Sequence, residues 1–230
     1  MNADSSIITL DGPGGAGKGT LASALARELG WWLLDSGALY RLVALIALRR
    51  GFDAGDAGER EQIVAEARVL DLVFEPDDGA GQRVRLAGED VTDTIRSDAV
   101  SAAASQWAAV PAVRDALLER QREFALAPGL IADGRDMGTV VFPGADLKLF
   151  VTASAYERAG RRVAQLSATG VDASLSRIYR EILERDERDA SRATAPLKPA
   201  VDAQVIDTSG ETVAESLARV HALVRDKGWL

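Results

Sequence analysis

Nine consecutive residues hold the most readable chemistry in the chain: Gly12, Pro13, Gly14, Gly15, Ala16, Gly17, Lys18, Gly19 and Thr20. Glycines at these offsets let successive main-chain N–H groups turn toward phosphate oxygens. The start of a following helix adds partial positive charge, and Lys18 can reach the outer phosphates. The hydroxyl that would ordinarily follow the lysine and ligate magnesium comes one place late, because residue 19 is glycine and residue 20 threonine. A magnesium ion is therefore expected to be held mainly through water, with Thr20 and Asp133 as the candidate protein donors.

Further charged and polar residues cluster in three places. Ser36, Tyr40 and Arg41 stand at the start of a helical run, where a second anionic group could be received opposite the glycine loop. Asp133 ends a short apolar strand, a position suited to a second-shell magnesium ligand, and Arg135 and Asp136 follow on a loop. Between Glu157 and Arg192 lie eight arginines against seven acidic residues. That balance is wrong for a nucleic-acid groove, which needs a sustained positive excess. It suits either a helical hairpin with salt-bridged faces or a mobile lid. In the lid reading, Arg185, Arg188 and Arg192, spaced by three and four, would close onto phosphates together.

Other chemistries are poorly served. The single histidine, His221, falls in an amphipathic C-terminal helix from Val213 to Val224 and reads as a surface residue, and there is no cysteine. Without a histidine base, a thiol nucleophile or a clustered metal motif, what remains is positioning and charge neutralisation, as in phosphoryl transfer. The only asparagine is Asn2, so neither the guanine-reading motif of a GTPase nor a protein-kinase catalytic loop can occur.

The elements that must position these groups are legible from periodicity. Ile7–Leu10, Trp31–Leu34, Leu130–Ala132, Leu147–Val151 and Gln204–Ile206 read as short strands, each ending at a polar residue, with helical patterns between them. This predicts an α/β fold with a five-stranded parallel sheet flanked by helices, in which ligands sit beyond the carboxyl ends of the strands. Asp11, Asp35, Asp133 and Asp207 would mark that edge. Over residues 52–98 the pattern changes: Gly55, Gly58, Asp77, Asp78, Gly79 and Gly81 act as breakers around a hairpin of Val69–Glu75 and Gln82–Ala87. Helices are expected from Ser97 to Val110 and from Pro111 to Leu126, and a hairpin tip at Thr169-Gly170.

Composition sets the outer bounds. With 230 residues, 47% hydrophobic and 27% charged, the chain can bury one core and carry an appended subdomain. A net charge of -8 argues against non-specific binding to nucleic acid or anionic membrane. Met1-Asn2-Ala3-Asp4 carries no basic leader, and the longest apolar run, Leu42–Leu48, is too short to span a bilayer. A cytoplasmic monomer without membrane or nucleic-acid partners is expected.

Four strings together resemble one family. The glycine loop is similar to that of nucleoside monophosphate kinases. Leu33–Arg41, Ile131–Pro143 and Glu184–Arg192 resemble bacterial cytidylate kinases in particular, the Gly134–Pro143 string being the most diagnostic. The resemblance runs from about Ile7 to Ala200 and implies a single P-loop NTPase-like kinase domain. Residues 52–98 would form an inserted monophosphate-binding subdomain and 157–195 a helical lid. It implies transfer of the γ-phosphoryl of ATP to CMP or dCMP, with ATP held by residues 12–20. It places Ser36, Tyr40, Arg41, Ser105, Arg114, Arg135 and Asp136 around the pyrimidine nucleotide, with Ser105 and Asp136 accepting from the cytosine amino group. Arg185 and Asp189 resemble contacts to sugar and phosphates. Arg161, Arg162, Arg188 and Arg192, with Lys18, resemble the set around the transferring group. One departure is Gly14, where many members carry a hydroxyl or alanine. The readings set against this one are a kinase for UMP, AMP or shikimate, a regulatory ATPase without an acceptor, and an RNA-binding protein.

Overall fold

A computed structural model describes residues 5–76, 82–168 and 170–230. Asp77, Asp78, Gly79, Gly81, Thr169 and the first four residues, all used in the sequence reading, lie outside the described residues.

The chain forms two compact units, residues 34–125 and the remainder on either side of them. In the second, β1 (Ser6–Asp11) leads through the glycine loop into α1 (Lys18–Leu29), and β2 (Trp32–Asp35) follows. Later segments add β6 (Gly129–Asp133), β7 (Leu147–Thr152), α6 (Ala155–Ala168), α7 (Leu175–Ala190), β8 (Gln204–Asp207) and α8 (Val213–Asp226). The strands form a parallel sheet in the order β2-β6-β1-β7-β8. The near-continuous apolar strands follow from burial on both faces. Ile8, Leu10, Ile131, Leu149 and Val151 meet Leu21 and Leu25 of α1 and Val220 and Val224 of α8 in one core. Truncating a fully buried side chain such as Leu25 to alanine would cost about 2–5 kcal/mol. Thr212 and Glu215 start α8 as a reciprocal capping box.

The unit of residues 34–125 is mostly helical. It contains α2 (Ser36–Arg50), α3 (Ala57–Arg68), α4 (Asp98–Trp107) and α5 (Pro111–Arg122). A small antiparallel sheet is made by β3 (Leu72–Pro76), β4 (Gln82–Leu86) and β5 (Glu89–Asp90). The expected hairpin is present, with Leu72 opposite Leu86 and Phe74 opposite Val84. Helix α3 is an element the breaker pattern concealed. Gly58 lies inside its first turn, and Asp56 caps it by accepting from the Glu59 N–H at 2.9 Å. A good cap offsets roughly the 1 kcal/mol that glycine costs a helix.

Candidate active site

The glycine loop is shaped by contacts that only glycine permits. Gly12 has φ 143°, and a Cβ there would stand 1.9 Å from the Val151 carbonyl oxygen, so β7 presses directly on the loop backbone. Gly17, with φ 92°, precedes α1 without any side-chain cap. The first N–H groups of the helix are thus left to a ligand, which is what an anion site requires. Lys18 is only 5% exposed and donates from Nζ to the Pro13 carbonyl at 2.8 Å. Burial, reinforced by the Arg135 guanidinium, lowers its pKa from 10.5 to about 7, with Asp133 and Asp11 pulling the other way.

Asp11, at the end of β1, accepts from the main-chain N–H of Met137 and of Gly138, both at 2.7 Å. Burial pushes its carboxyl up to about 6 despite these two donors. The pair of bonds fastens the π-helical turn Met137–Val141, and with it the Gly134–Pro143 string, to the first strand. Asp133 ends β6, and its Oδ2 would lie 3.5 Å from a Cβ on Gly19, which puts a carboxylate over the first turn of α1. Thr20, next in that turn, is exposed.

Guanidinium groups gather on the loop. A Cβ on Gly14 would meet Arg135 Nη2 at 3.3 Å and Arg185 Nη1 at 3.8 Å, so two guanidinium groups lie over Gly14 and a side chain there would crowd Arg135. Arg135 donates from Nε to Asp189 at 3.2 Å, and Arg192 pairs with the other oxygen of the same carboxylate. Asp189 is 1% exposed. Arg161 reaches the Thr208 carbonyl at 2.6 Å and hydroxyl at 3.1 Å, and Thr208 in turn donates to the Ala16 carbonyl at 3.0 Å. Arg162 is half-buried on α6, whereas Arg188 is exposed on α7. Asp136 is buried on the loop after Arg135.

In the unit of residues 34–125, Asp35 caps α2 by accepting from the Ala38 N–H at 3.0 Å and pairs with Arg41 at 2.6 Å. Ser36 donates to Gln121 at 2.7 Å, and the Arg114 guanidinium lies 5.5 Å from the centre of the Tyr40 ring. Ser105 differs from these. It is 5% exposed and its hydroxyl has no hydrogen-bond partner among the described residues, an omission that costs about 1–3 kcal/mol unless something else supplies the bond.

Four residues carry structural work that the sequence did not single out: Asp11 beyond its place at a strand end, Arg158, Asp186 and Thr208. Of the aspartates that close strands, Asp11 clamps a loop, Asp35 caps a helix and Asp207 accepts from the Ser209 N–H at 2.8 Å. Asp133 alone stands over the helix start. A strand-end aspartate is thus a sound signal for the edge and a weak one for its task.

A glycine loop between the first strand and first helix of such a sheet, with a buried lysine and converging guanidinium groups, defines a P-loop phosphotransferase. The model of the family described as cytidylate kinase matches residues 8–226. The chain belongs to the cytidylate kinase family, and it is an enzyme of the nucleoside monophosphate kinase type. It is 57% identical to the cytidylate kinase of Pseudomonas aeruginosa strain LESB58 and 55% identical to that of Pseudomonas paraeruginosa strain PA7, in each case over 100% of this chain and 99% of the relative. Identity to the cytidylate kinase of Pseudomonas putida strain KT2440 is 53%, covering 99% of both. No helix among the described residues is long and apolar enough to cross a membrane.

Proposed function

We propose that the protein transfers the γ-phosphoryl group of ATP to CMP or dCMP, giving ADP and CDP or dCDP. The observation that carries this reading is the cation-lined loop: Lys18 is buried beneath Gly12–Thr20, with Arg135 and Arg185 over Gly14. Phosphoryl transfer passes through a loose transition state with charge spread over the equatorial oxygens. Main-chain N–H groups and fixed guanidinium groups stabilise that charge without reorganising.

Each residue group then has a task. The uncapped N–H groups after Gly17 receive the donor phosphates. Lys18 exchanges the Pro13 carbonyl for a phosphate oxygen, and the anion favours its charged form against the burial and the Arg135 charge that lower its pKa. Arg161, Arg162, Arg188 and Arg192 serve the transferring group, and Asp189 holds Arg135 and Arg192 in orientation. Ser36, Tyr40, Arg41, Arg114, Arg135, Arg185 and Asp189 take the acceptor's phosphate and sugar. Ser105 and Asp136 take the cytosine amino group, so that uracil, with a carbonyl at that edge, would leave buried acceptors unpaired.

Magnesium fits the donors that are present. The Asp133 carboxylate faces the helix start at Gly19, Thr20 follows in the same turn, and no group of three or more acidic or histidine ligands occurs among the described residues. Such a sparse set suits an ion completed by water and substrate phosphates. When bound, the ion would neutralise charge on the donor phosphates.

An ADP-release assay across CMP, dCMP, UMP, AMP and GMP tests the reading. CMP or dCMP should exceed the others in kcat/KM by about a hundredfold or more. Equal turnover of UMP or AMP, or ATP hydrolysis indifferent to every monophosphate, would overturn it.

A further inference from the structure

We infer that Arg158 is a positioning residue that registers the arginine-bearing helix α7 on the phosphate loop, a role that rests on the kinase reading above. Its guanidinium joins three segments of chain. Nε donates to the Ala153 carbonyl at 2.9 Å, at the entrance to α6. Nη1 donates to the Gly14 carbonyl at 3.2 Å and to Asp186 Oδ1 at 3.0 Å, and Nη2 donates to Asp186 Oδ2. The residue is 4% exposed, and its stem is packed under the loop so closely that a Cβ on Gly15 would stand 3.2 Å from the Arg158 Cβ.

The geometry demands arginine. A planar fork can present parallel donors to one carboxylate while a third N–H points elsewhere. Lysine offers one nitrogen at the end of a flexible stem and cannot span acceptors on three segments. The position of Asp186 gives the contact its consequence. It sits on α7 beside Arg185 and one turn before Asp189, which orients Arg135 and Arg192. Gly14 is therefore tied to that helix through its carbonyl, by way of Arg158 and Asp186, while the Arg185 guanidinium of the same helix lies 3.8 Å from where a Gly14 Cβ would stand. A nucleotide that orders the loop must order α7 with it.

A merely structural buried ion pair would lower the melting temperature and leave turnover and coupling intact, so the test separates the two. Arg158→Lys, Asp186→Asn and the double variant are assayed for CMP phosphorylation and for hydrogen exchange with and without ADP. Each single variant should lose about tenfold to a hundredfold in kcat, the size expected for a displacement on the order of 1 Å, with KM for CMP within about threefold. The double variant should be no worse than the worse single one, because both break one connection. In the wild type ADP should slow exchange over residues 175–190 by about fivefold or more, and in the variants by less than about twofold, while protection over residues 12–20 persists. A kcat within about threefold of wild type, additive losses, or undiminished protection of α7 would each overturn the proposal. Should Arg158→Lys fail to fold, Asp186→Asn, on a partly exposed side chain, carries the same readouts. Failure of the wild type to phosphorylate CMP would count against the functional reading instead, since the exchange experiment reads nucleotide coupling whatever the acceptor.

Discussion

The glycine-loop region and the helical unit of residues 34–125 differ in how their candidate ligand-binding groups are held. Around the loop the cations are already engaged: Lys18 on Pro13, Arg135 and Arg192 on Asp189, Arg158 on Asp186, Arg161 on Thr208. In the helical unit Ser36 and Arg41 are paired, yet the buried Ser105 hydroxyl has no partner among the described residues. The difference indicates two strategies for meeting an anionic or polar ligand. The loop region keeps its charges from repelling one another by lending them carboxylates and carbonyls, so a nucleotide must displace internal partners. The helical unit leaves one acceptor open, so a base can add a bond without breaking any.

Three experiments would break or sharpen this contrast. The largest effect is expected for Lys18→Ala, which should lower kcat on the order of a thousandfold, as removal of a preorganised charge at a transferring phosphoryl group does elsewhere. Steady-state CMP phosphorylation measures it, and a loss under tenfold would mean that the buried lysine is only a structural donor to Pro13.

Next in size is a pH effect that only the loop region should show. Free Lys18 titrates near 7, far below its usual 10.5, while phosphate oxygens beside it favour the charged form. Below pH 7 the lysine is charged before and after binding, so its contribution is flat. Above 7 binding takes up a proton, and ATP affinity should fall by up to about tenfold per pH unit. Calorimetry at pH 8 in two buffers of different ionisation enthalpy should register uptake approaching one proton per ATP. Lys18→Arg, which stays charged, should abolish it.

The smallest effect belongs to the helical unit. Ser105→Ala should raise KM for CMP by about twofold to tenfold, the worth of one neutral hydrogen bond, while kcat holds and the unfolding midpoint of the free protein rises, because no internal bond is lost and an unsatisfied buried hydroxyl is removed. An unfolding midpoint that drops markedly would show that the hydroxyl is satisfied internally after all and erase the contrast.

Much of this was legible in the chain because it is local. A strand, a glycine loop and a helix occupy consecutive residues, so β1, the loop and α1 could be read directly from periodicity and spacing. The same holds for the β3–β4 hairpin and for α8. Helix α3 was hidden because Gly58 looks like a breaker until Asp56 is seen to cap the turn. The site was legible in its residue types and illegible in its pairings. That Gly14 is glycine can be read from the sequence. That Arg135 and Arg185 lie over it cannot.

The amino-acid sequence by itself determined the class of chemistry: a phosphate cradle, a wealth of arginine, and no histidine or cysteine placed to act as base or nucleophile. Only the tertiary structure decided which charge answers which. Asp11 meets Met137 across 126 positions, and Arg158 meets Asp186 across 28. The physical reason is that a local motif is set by backbone geometry over a few residues. The partner of a buried charge is whichever opposite group the packed helices and strands bring within about 3 Å.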